Sequence, residues 1–167
     1  VSAILGGLVI VPFYLLLKEM AGNLIAVVGS LLLIANPLHW SFSSAMLSDV
    51  PSTFFVVLSA YLVYRGRSYD WSFLLGCASM SIAIGVRPAN VCIVLLLAVP
   101  IYLRWRDTNV FPKFILVKAT VMFAVVSSLW FFPAVFLGSD GFSAFFGALQ
   151  KQWINAVSVG DILQLSN

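Results

Sequence analysis

Apolar residues in this chain come in long blocks broken by short polar punctuation, without the strict alternation that marks half-buried strands. Six blocks cover about 1–17, 24–38, 50–64, 71–86, 89–103 and 114–137. A hydrocarbon core of ~30 Å takes ~20 helical residues, with about 17 tolerated, so each block reads as a membrane-spanning helix. Several are short, which leaves little room for tilt. The breaks carry stop and start signals: Ala21-Gly22-Asn23, Asn36-Pro37, Ser48-Asp49 ahead of Pro51, Arg65-Gly66-Arg67, Arg87-Pro88, and the stretch from Arg104 to Asn109. Ser48 or Asp49 can cap the third helix. Its first turn accommodates Pro51, because that proline's missing N–H would have been unpaired anyway.

After the sixth block, Phe142, Phe145, Phe146, Leu149, Trp153 and Ala156 recur at helical spacing, with Ser143, Gln150, Lys151 and Asn155 on the other face. This pattern predicts an amphipathic helix lying on the membrane surface; a late seventh span is the alternative. The expected fold is therefore all-α. It comprises a polytopic transmembrane bundle of about six spans over 1–137 and a non-cytoplasmic amphipathic segment over 138–167. The chain opens on Val1 without an initiator methionine and closes on Asn167, and we expect a fragment of a longer protein.

Composition supports the same class. Hydrophobic residues make up 62% of the chain and charged residues 9%, against roughly 25% charged in soluble domains. Nine basic and six acidic side chains are too few to cover an apolar core of this length. The net charge of +3 is spread over small clusters between apolar blocks and forms no basic face, which argues for topology and against nucleic acid. If the first helix runs inward, Lys18, Arg65, Arg67, Arg104, Arg106, Lys113 and Lys118 are cytoplasmic, while Arg87 and Lys151 lie outside. The positive-inside rule thus predicts an integral, multi-pass protein whose N-terminal end here is non-cytoplasmic. Cys77 and Cys92 lie in apolar blocks at different depths, which suits packing better than a disulfide or metal site.

On that topology the ionisable residues outside are His39, Asp49, Arg87, Asp140, Lys151 and Asp161, and this is the expected working face. Asp49 can hold a sugar hydroxyl, a cation or a basic neighbour, or act only as a helix cap. Arg87 sits in a tight turn at headgroup level. Its planar fork suits a lipid phosphate, with ordinary snorkelling or pairing with Asp49 as the plainer alternatives. His39, beside Trp40, can donate to phosphate or sugar or serve as an interfacial belt residue. Asp140 and Asp161 read as solvated loop charges. No phosphate-cradling glycine loop, nucleophile elbow, metalloprotease motif or paired Cys/His set is present, so no self-contained active site, metal site or cofactor is identified.

The order of these features resembles the GT-C membrane glycosyltransferases, a superfamily that includes protein O-mannosyltransferases and aminoarabinose transferases. The resemblance rests on Asn36-Pro37-Leu38-His39-Trp40, then Leu47-Ser48-Asp49-Val50-Pro51 with Phe54-Phe55. Arg87-Pro88, a following apolar helix and Arg104-Trp105-Arg106 come next, and 138–156 with Leu149-Gln150-Lys151-Gln152-Trp153 closes the series. It implies transfer of a sugar from a polyprenyl-phosphate donor to an acceptor on the non-cytoplasmic side, with Arg87, Asp49 and His39 as donor-binding candidates. The superfamily's catalytic carboxylate lies in an outer loop before the part matched here, so no residue of this chain takes that role. Membrane lipid and the lipid-linked sugar are the expected partners, with the acceptor, and any divalent metal, left open. The main rival reading is a transporter or flippase of a hydrophobic or lipid-linked substrate, whose charges would line a cavity within the membrane; a structural subunit without catalysis is the third.

Overall fold

A computed structural model of the chain describes residues 2–37, 49–108 and 113–136, together with Gly147 and Gln150. Among the described residues the chain is helical and contains no strand. It divides into two compact units, Val1–Ser127 and Ser128–Asn167. The predicted amphipathic helix and late seventh span fall almost entirely outside the described residues, as do His39, Asp140, Lys151 and Asp161.

The first apolar block forms α1 (Ser2–Leu8) and α2 (Ile10–Ala21). Val9 between them keeps a helical backbone and the ladder continues through it, from Val9 N to Leu5 O and from Phe13 N to Val9 O. The bond that chemistry forbids is the one from Pro12 to Leu8, since proline has no N–H and its ring crowds that carbonyl. The two pieces are therefore one interrupted rod. Gly22 then reverses the chain with φ +89° and ψ 174°, a backbone region essentially restricted to glycine, and α3 (Asn23–Ala35) returns alongside α2. Asn36 ends α3 in an extended conformation, as expected of a residue before proline.

The next two blocks make an antiparallel hairpin at the centre of the first unit. Helix α4 (Asp49–Arg65) carries Asp49 and Pro51 in its first turn. It stops in a tight turn in which Arg67 N donates to Tyr64 O and Ser68 N to Arg65 O. Helix α5 (Asp70–Val86) begins with an acidic first turn and ends at Arg87, ahead of Pro88. The helices approach closely where side chains are small. Ser52, Ser59 and Gly66 follow one another at heptad spacing on α4 and its end, and Gly76 of α5 lies directly against the backbone of Leu62 and Val63. Around this seam Val63, Phe73, Cys77, Met80, Ile93, Ile115 and Ala119 form the buried core.

The fifth block departs from the expected single α-helix over 89–103. Pro88–Leu97 winds as a 3-10 helix of ten residues, and α6 (Ala98–Thr108) takes over from there. Runs this long are uncommon. Pro88 removes one donor at the start, and β-branched Val91, Ile93 and Val94 weaken the α-helical preference that follows. The last block is α7 (Lys113–Phe136), with Pro133 inside it. Its portion in the first unit is tied to α5 by a 2.8 Å hydrogen bond between the Ser81 and Ser127 hydroxyls. In the second unit Phe132 and Phe136 stack, one helical turn apart, at 5.3 Å between ring centres.

Helix length refines the six expected spans. Ser2–Ala21 and Lys113–Pro133 are each long and apolar enough to cross a membrane; Asn23–Ala35 and Asp70–Val86 are apolar but shorter. At ~1.5 Å per residue the described part of α3 reaches about 20 Å, short of a ~30 Å hydrocarbon core. Many large apolar side chains of the described residues face outward: Phe114 is 87% exposed, and Leu24, Val28, Leu31, Val117, Val121 and Val125 are exposed too. Serines 30, 52, 59, 79 and 81 are buried instead.

Candidate functional site

Two residues that were candidates on sequence grounds meet in the structure. Arg87, at the C-terminal cap of α5, donates through Nη1 to Asp49 Oδ1 at the start of α4, 38 positions away. Each charge sits where its helix dipole favours it, the carboxylate at an N-terminus and the guanidinium at a C-terminus. The pairing with a basic neighbour left open for Asp49 is thus the one adopted. Both side chains remain accessible, at 46% exposure for Arg87 and 44% for Asp49, so the pair is a surface ion pair of modest strength.

A second contact repeats the first one helical turn further on. Asn90 Nδ2 donates to Ser52 Oγ, again across 38 positions, and to the Ala83 carbonyl oxygen at 3.2 Å. The repetition follows from the winding. Asp49 and Ser52 are three apart on α4, and Arg87 and Asn90 are three apart where the chain enters the 3-10 helix. That geometry eclipses residues at i and i+3, and Asn90 N bonds to Arg87 O at 3.0 Å. Thr53 joins the same end, its hydroxyl donating to the Asp49 carbonyl at 2.8 Å. The outcome is a polar layer of one carboxylate, one guanidinium, one carboxamide and two hydroxyls.

Chemically this layer suits an anionic oxygen ligand better than a metal. Arg87 has five N–H donors in a planar fork, more than one carboxylate oxygen uses, and a phosphate can take the others bidentately. No group of three His, Cys, Asp or Glu that could hold a metal occurs among the described residues. His39, the third candidate, lies outside them. No family model matches the chain, and no curated protein or solved structure matches it either.

Ser52 and Asn90 escaped the sequence reading. Their signal was available in the matched spacing, Asp-x-x-Ser at one helix start and Arg-x-x-Asn at the next helix end. It becomes informative only once the α4–α5 pairing is known.

Proposed function

We propose that the chain is part of an integral-membrane glycosyltransferase of the GT-C type, with about six spans and the Asp49–Arg87 layer on the non-cytoplasmic side, taking a polyprenyl-phosphate sugar as donor. The observation that carries this reading is the Asp49, Ser52, Arg87, Asn90 layer at one end of the α4–α5 hairpin, with Arg65 and Arg67 at the other. That segregation agrees with the positive-inside pattern, and the apolar exterior of the helices suits lipid.

In the reaction the bond between the sugar's anomeric carbon and the phosphate oxygen breaks as an acceptor oxygen bonds to that carbon. The acceptor's proton passes to a general base. Negative charge grows on the departing lipid phosphate, and Arg87 is the group here suited to receive it. Asp49 positions the guanidinium, and Asn90 with Ser52 fixes the turn that carries it. His39 remains a donor-binding candidate. A transporter or flippase would need charge near the middle of its spans, whereas the charged groups of α4 and α5 lie at helix ends.

The test is turnover of a polyprenyl-phosphate sugar by the protein reconstituted in lipid. Arg87→Ala should lower turnover by about 100-fold or more while the protein still inserts, as expected for removal of a donor aimed at developing charge. Arg87→Lys should recover part of that loss, since charge is kept and the fork is lost. Turnover by Arg87→Ala equal to that of the native protein would remove Arg87 from the site.

A further inference from the structure

At the opposite end of the α4–α5 hairpin, Glu19, Tyr64, Arg65, Arg67, Ser68 and Tyr69 surround an open depression of ≈ 650 Å³. We propose that this depression binds the phosphate of an anionic lipid headgroup, a site distinct from the donor layer and resting only on the membrane part of the function proposed above. Its lining holds two guanidinium groups against one carboxylate. Arg65 is held in place: its Nη1 donates to the Tyr61 hydroxyl at 2.8 Å, and its guanidinium lies over the Tyr69 ring at 5.5 Å. Glu19 approaches Arg65 Nε only to 3.9 Å, which tempers the positive charge without engaging it in a hydrogen bond. A fixed guanidinium loses little freedom when a phosphate takes its remaining donors.

Two features point to lipid as the source of the phosphate. Tyr69, which lines the depression, is 60% exposed, and Trp71, two residues further along the chain, is 74% exposed, the aromatic residues expected at a headgroup boundary. One turn beyond Trp71 on α5, Leu75 is exposed too and offers apolar surface to acyl chains. Basic depressions between helices at the membrane boundary are a recurrent way of holding phospholipid headgroups.

The full chain, purified in nonionic detergent, would be titrated with short-chain phosphatidylglycerol, phosphatidylcholine and inorganic phosphate, with retained ligand counted by native mass spectrometry. Phosphatidylglycerol should bind at one site, more tightly than phosphatidylcholine, and inorganic phosphate should not displace it. Arg65→Gln and Arg67→Gln should each weaken phosphatidylglycerol by about fivefold. Glu19→Gln should strengthen it, a gain that misfolding cannot produce. Equal retention of both phospholipids, or native affinity in all three variants, would overturn the proposal. Displacement by inorganic phosphate would overturn the lipid assignment. Loss of sugar transfer in Arg87→Ala bears on the other end of the hairpin and leaves this result intact.

Discussion

Alanine at position 76 brings two opposed effects into one substitution. A Cβ on Gly76 would lie 2.7 Å from Val63 Cγ2, 2.9 Å from Val63 N and 3.3 Å from Leu62 C. Two of those atoms are backbone of the facing helix and cannot rotate away, so α4 and α5 must separate. Overpacking of this kind costs typically 1–3 kcal/mol. Against it stands the intrinsic helical gain of glycine to alanine, about 1 kcal/mol. Gly7→Ala isolates that gain, because nothing lies within 4 Å of a Cβ there. The difference between the two variants is the packing cost alone, expected at about 2 kcal/mol. Cys77 supplies the readout: it is buried beside Gly76, while Cys92 is exposed. In a Cys92→Ala background, a thiol-reactive fluorophore should label Cys77 at a lower temperature in Gly76→Ala than in Gly7→Ala. If the two variants unfold together, or Gly76→Ala is the more stable, the reasoning about this close approach is wrong.

Other substitutions probe separate features of the same fold. Gly22→Ala should destabilise by about 1–3 kcal/mol in thermal unfolding, because alanine strongly disfavours φ +89° with ψ 174°; native stability in that variant would argue against the turn. Ser81→Ala and Ser127→Ala in a double-mutant cycle should show a coupling of about 0.6 kcal/mol, the usual worth of a hydrogen bond between helices in lipid, and a coupling of zero would remove the contact. Ser59 is fully buried and its hydroxyl has no hydrogen-bond partner among the described residues, so Ser59→Ala should raise stability by about 1 kcal/mol, whereas a loss would reveal a partner for that oxygen.

The helix breaks were legible in the sequence because they are local chemistry. Gly22 and Arg87 before Pro88 each reverse or end a helix through their own backbone preferences, and the structure breaks there and at the Arg65-Gly66-Arg67 turn. The interruption at Val9 was less visible, since Pro12 acts on a carbonyl four residues earlier within an unbroken apolar run. The 3-10 winding of Pro88–Leu97 left no mark in hydropathy, because a change from 3.6 to 3.0 residues per turn does not alter how apolar a segment is. Asp49 and Arg87 stood out individually as charges at apolar boundaries, and their pairing was among the alternatives open to each. The contacts of Ser52 with Asn90, Ser81 with Ser127 and Arg65 with Glu19 depend on which helices pair and in what register, information no single segment carries.

Winding also sets how far the chain reaches after Arg87. A 3-10 helix rises ~2.0 Å per residue and an α-helix ~1.5 Å, so Pro88–Leu97 covers about 20 Å where α-helical winding would cover about 15 Å. With α6 added, the stretch to Thr108 extends about 36 Å instead of about 31 Å. Rewinding it as α-helix would draw α6 about 5 Å toward Arg87 and turn it by about 200°. The position of that basic end is therefore set by the pitch of the segment before it, and distances between spin labels at positions 90 and 106 would measure that pitch directly.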